Sequence, residues 1–88
     1  MLIKDGFIKK KVGDSVIIVA VGKRVKEFSG IISLNETAEF LWDNLEKASG
    51  VEELADILCS EYDVTKEKAL ESCKGFIAKL REAKVLDD

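Results

Sequence analysis

Along the first third of the chain, apolar residues alternate with lysines or run together between glycines. Beyond about Ser33 they recur every three or four positions through three stretches that contain no proline. Strands are therefore expected first and helices after. Residues 6–12 read as a strand, Gly13-Asp14 as a two-residue hairpin turn where a positive φ costs little, and residues 15–21 as the returning strand. The returning segment, Val16, Ile17, Ile18, Val19, Ala20 and Val21, is apolar without alternation, the pattern of a central strand covered on both faces. Residues 22–27 are charged and turn-like. Residues 28–33 then predict a third, short strand with Gly30 near its centre, placed at the sheet edge.

A helix is expected to start between Ser33 and Asn35, because Ser33-Leu34-Asn35-Glu36 matches a capping box and Asn35 is itself a good N-cap. Its core stripe would be Leu34, Ala38, Leu41, Trp42, Leu45 and Ala48, closed by Ser49-Gly50. Phe40 departs from this stripe by roughly 160° at 100° per residue and is expected to meet the sheet or a crossing helix. A second helix follows with Val51, Leu54, Ala55, Leu58 and Tyr62 on one face, and Ser49 with Glu52 offers it a capping box. The third takes Thr65 as N-cap, buries Ala69, Cys73, Phe76, Ile77 and Leu80, and ends around Lys84; Lys79, Arg81 and Lys84 suit its dipole. Three antiparallel strands followed by three helices, two of them tightly linked, make an α+β chain of winged helix-turn-helix type with its sheet at the front.

With 88 residues, 47% of them apolar and 35% charged, the chain suits one folded domain, residues 1–88, with one core. Lys4 and Asp5 interrupt the start, and no apolar run approaches the ~18 residues of a membrane span, so a cytoplasmic protein without membrane contact is expected. There is no histidine and no CxxC spacing, which leaves Cys59 and Cys73 too few partners for a metal site. They read as core thiols, with a disulfide as the alternative. Glu67 with Glu71, and Glu52 with Asp56, are carboxylates one helical turn apart on faces that also carry lysines, where nothing apolar would raise a pKa. Phosphate-binding glycine loops and a serine triad are also missing, so neither catalysis nor a cofactor is expected.

Charge decides the nucleic-acid question. From Asn35 onward, seven Lys or Arg stand against fourteen Asp or Glu, a net of −7 that repels a phosphate backbone. The strand half is opposite in sign, seven cations against three anions, a net of +4. Lysines on strands commonly guard sheet edges against aggregation. The same charge also steers an acidic or mixed-charge peptide toward the sheet.

The block Ile31-Ile32-Ser33-Leu34-Asn35-Glu36-Thr37-Ala38, followed by Phe40-Leu41-Trp42 and Leu45, resembles the PqqD-like family, also called RiPP recognition elements. Val51-Glu52-Glu53-Leu54-Ala55 with Leu58, and Phe76-Ile77 with Leu80 ahead of Val85-Leu86, fit the same pattern, so the likeness spans essentially the whole chain. Where the family often ends its first helix with Asp-Gly, this chain has Ala48-Ser49-Gly50. The resemblance implies a winged-helix-like domain, not itself an enzyme, that binds the leader of a ribosomally made precursor peptide. It would present that peptide to a modifying enzyme, frequently a radical S-adenosylmethionine maturase. In the family the leader adds as an antiparallel strand to the third strand, with side chains entering a groove beside the third helix. Carried over, the peptide-binding residues are Phe28, Ser29, Gly30, Ile31, Ile32 and Ser33 on the strand, and Phe76, Ile77, Lys79 and Leu80 on the helix.

An edge strand does expose unpaired N–H and C=O groups that template a partner, and Gly30 would admit a close backbone. The alternative, which gains weight without the resemblance, is that Gly30 marks only a bulge and the edge is covered by the chain's own tail or by a second copy. The rival functions are a winged-helix DNA-binding regulator and an adaptor that docks only to an enzyme.

Overall fold

The computed structural model describes residues 1–22 and 31–87. Strand β1 (Phe7–Val12) pairs antiparallel with β2 (Ser15–Ala20), which pairs antiparallel with β3 (Ile32–Leu34), giving the sheet order β1-β2-β3. Helix α1 (Glu36–Asn44) runs into a 3₁₀ turn (Leu45–Lys47), followed by α2 (Val51–Glu61) and α3 (Lys66–Glu82). The α+β architecture read from the sequence is the observed one.

The hairpin forms where local chemistry asks for it. Gly13 takes φ +61° in the turn, and the register brings Val12 opposite Ser15 and Phe7 opposite Ala20. Strand alternation then sets the faces. Val16, Ile18, Ile32 and Leu34 are buried in one core with Phe7, Leu41, Trp42, Leu45, Leu54, Leu58, Phe76 and Leu80. Ile17 and Val19, on the other face, are only half-buried, and Ile8 and Val12 are exposed. The expectation that β2 is covered on both faces thus holds at Val16 and Ile18 on one face and only in part on the other.

The described part of the third strand runs one residue further than its pattern suggested, through Leu34. Ile31 precedes it and is 64% exposed, while Leu34, assigned above to the helical stripe, pairs with Val16 and buries alongside Ile32. Residues 28–30 lie outside the described residues. The cause is the cap: Asn35 is extended (φ −81°, ψ 179°) and its side-chain oxygen accepts from the Ala38 N–H at 2.8 Å. An Asn cap of this kind is worth about 1 kcal/mol and leaves Ser33 and Leu34 to the strand. Thr65 caps α3 likewise, accepting from the Lys68 N–H. Helix α2 differs from expectation, because its cap is Gly50 and the Ser49 hydroxyl reaches Glu53, not Glu52.

Phe40 is half-buried against the core and meets a crossing helix, α2, at its end. It packs edge-to-face on Tyr62, the C-cap of α2, with ring centroids 5.3 Å apart. Lys9 extends from β1 to Glu39 and Asp43 on α1, both at 2.8 Å, and tethers the sheet margin to that helix. The Asp43 and Glu39 carboxylates hold its ammonium above the ordinary lysine range.

Helix α3 ends in a paired reversal. The Lys84 N–H donates to the Arg81 carbonyl and the Val85 N–H to the Leu80 carbonyl, with Lys84 in the left-handed region at φ 59°. This turns residues 85–87 back along the start of the chain. Ile3 bridges antiparallel to Leu86, Lys4 N–H donates to Val85, and Asp87 N–H donates to Leu2. Val85 and Leu86 are buried, and the Met1 ammonium donates to the Ala48 carbonyl.

Candidate functional site

The β1 and β3 edges of the sheet have no strand partner among the described residues. They differ in chemistry. Strand β1 carries Lys9, Lys10 and Lys11 in succession, which discourages strand pairing, whereas β3 reads Ile-Ser-Leu and carries no charge. The chain's own tail is engaged with residues 2–4 through the Leu86–Ile3 bridge and is therefore not what covers β3.

Strand β3 passes directly into the Asn35 cap, so its end adjoins a groove between the start of α1 and one face of α3. This groove has a volume of about 540 Å³. Ala38 and Leu41 line it from α1; Lys68, Glu71, Ser72, Gly75, Phe76 and Lys79 line it from α3. Leu41 is almost wholly buried, so the groove's apolar floor is Ala38 and Phe76, with polar Asn35 and Thr37 beside them. Lys68 and Lys79 stand at the rim with Glu71 between them, giving a local positive balance within a helical half of net charge −7.

The helix residues expected at the site are divided by the structure. Phe76 and Lys79 line this groove. Ile77, one residue and 100° further round the helix, lines a separate hollow of about 560 Å³ with Met1, Val51, Lys74 and Arg81. Leu80 is fully buried and has no surface to offer a partner. On the strand side, Ile31 and Ser33 are exposed, Ile32 is buried in the core, and Phe28, Ser29 and Gly30 lie outside the described residues. Sequence reasoning missed Lys68, Ser72 and Gly75, although their spacing with Lys79 (i, i+4, i+7, i+11) marks one helical face.

Cys59 and Cys73 are both free thiols; Cys73 is fully buried, and desolvation with the nearby Cys59 pushes its pKa up. Among the described residues no group of three His, Cys, Asp or Glu could hold a metal ion, and no helix is long and apolar enough to cross a membrane. Lys66, which would face phosphate on a DNA-reading α3, is instead held by Asp56 of α2, whose carboxylate raises its pKa.

The family model for coenzyme PQQ synthesis protein D (PqqD) matches residues 16–86. The chain belongs to the PqqD family. Among solved structures, this PqqD-family chain is similar to TbiB1 in complex with the TbiA(beta) leader peptide. The TM-score is 0.75 at 22% identity, covering 99% of this chain and 95% of that one, which establishes a shared fold. No curated protein matches. Within the family match lie β2 from Val16 onward, all of β3 and the three helices, and hence every residue that lines the groove.

Proposed function

We propose that this PqqD-family protein binds the leader of a ribosomal precursor peptide as an added antiparallel strand on β3, and delivers it to a modifying enzyme without chemistry of its own. The reading rests above all on one observation: the uncharged edge of β3 runs directly into a groove with an apolar floor and a lysine rim. Backbone pairing supplies affinity in such a mode, and alternate side chains entering a pocket supply sequence choice. The leader peptide held by TbiB1, a protein of the same fold, supports it too. Phe28, Ser29, Gly30 and Ile31 would extend the receiving edge, while Ile32 and Ser33 provide its paired part. A radical S-adenosylmethionine maturase is the proposed recipient and the cytoplasm the proposed compartment.

Leaders encoded beside the protein, labelled and titrated, should bind at micromolar concentration, about 8 kcal/mol of affinity. Reversing the rim in a Lys68→Glu, Lys79→Glu double variant should weaken an acidic leader about tenfold at low salt. The difference should shrink as added salt screens these exposed charges. Equal binding by the variant at every ionic strength would remove the rim from the site. No binding by the native protein would remove the proposed function. Addition of the maturase should retain the leader on the domain if delivery is the role.

A further inference from the structure

Gly75 lies in the middle of α3, a poor place for glycine, since the residue lowers helix stability relative to alanine wherever neither a turn nor a close contact requires it. Here neither does. Its φ is not positive, and a Cβ built on it meets nothing within 4 Å. The fold itself therefore has no use for the missing side chain. Its position does: Gly75 opens onto the β3-side groove, one residue before the Phe76 floor and one turn before Lys79.

We infer that Gly75 is a specificity-determining residue, a gap in the wall of α3 that admits the bulkiest apolar side chain of the bound peptide. This rests on the leader-binding reading above. Ala38 and Phe76 give that side chain an apolar base, and Gly75 gives it width that a methyl group would take away. An aromatic or long aliphatic residue of the leader, with a carboxylate nearby in its sequence to meet Lys68 or Lys79, is the matching chemistry.

Gly75→Ala and Gly75→Leu test this, because both improve helix propensity and neither puts atoms into the core. Each should raise the thermal midpoint by roughly 3–6 °C. Each should also weaken leader binding, Ala by about fivefold and Leu by more than about tenfold. Replacing the leader's largest apolar residue with alanine should erase the difference between native protein and variants. Ala78→Leu, which enlarges a side chain on the other hollow, should leave affinity unchanged. Variants that are stabilised yet bind the leader as tightly as the native protein would overturn the role of Gly75 and leave the proposed function standing. Failure of the native protein to bind would instead fall on the proposed function.

Discussion

Leu80→Ala is expected to lower the free energy of unfolding by about 2–5 kcal/mol, the range for truncating a fully buried leucine. Domains of this size have about 5–15 kcal/mol in total, so the variant approaches its folding limit. Its thermal midpoint, followed by circular dichroism, should fall by about 10 °C or more. The site and the core are separable by this variant. Leu80 was among the residues carried over to the peptide groove, yet it has no exposed surface, and its carbonyl anchors the reversal after α3 through the Val85 N–H. At a temperature where the variant is folded, leader affinity should match that of the native protein. Unchanged stability with lost binding would return Leu80 to the groove.

Val85→Asp is expected to be comparably damaging. The residue is fully buried, and with Leu86 it forms the strip that pairs with residues 2–4. A carboxylate cannot remain there unpaired, so the tail would be expelled and both side chains lost from the core. At about 1.5–3 kcal/mol for each buried side chain, the loss is about 3–6 kcal/mol. Denaturant unfolding measures it. Native-state hydrogen exchange should show the Lys4 and Asp87 amides, which donate across the pairing, losing protection first. A loss below about 1 kcal/mol would contradict this role for the tail.

What could be read from the sequence was what depends on neighbours. The Gly13-Asp14 turn, the Asn35 and Thr65 caps, and the stripe through Leu41, Trp42, Leu45 and Ala48 are each decided within a few residues, and each is present. The start of α1 was ambiguous because Leu34 satisfies both periods: two residues after Ile32 it continues a strand face, and four before Ala38 it begins a helical stripe. The Asn35 cap and the long-range pairing of Val16 opposite Leu34 together settled it. The Ile3–Leu86 bridge left no signal, since a pairing of single residues has no period.

The groove was legible only in part for a related reason. Hydrophobic patterning locates what is buried, and it placed Phe76, Ile77 and Leu80 in the core, where all three lie; their place at the groove came from the family resemblance. A binding surface also needs polar and small residues, and Lys68, Ser72 and Gly75 look like any solvated helix face until α1 is placed beside them. Whether Ile77 shares a hollow with Phe76 depends on which neighbour lies on each side of α3, and the two prove to face different ones.

The central claim is that a peptide adds as a strand to β3 and not to the lysine-rich edge of β1. Amide hydrogen exchange resolved by residue, with and without saturating leader, tests it most directly. Strand addition to β3 predicts new protection at amides within Ile32, Ser33 and Leu34, alternating as only the outward N–H groups gain partners. The amides of residues 7–12 should be unchanged. Saturating leader that protects β1, or that leaves β3 exchanging as before, would contradict the account.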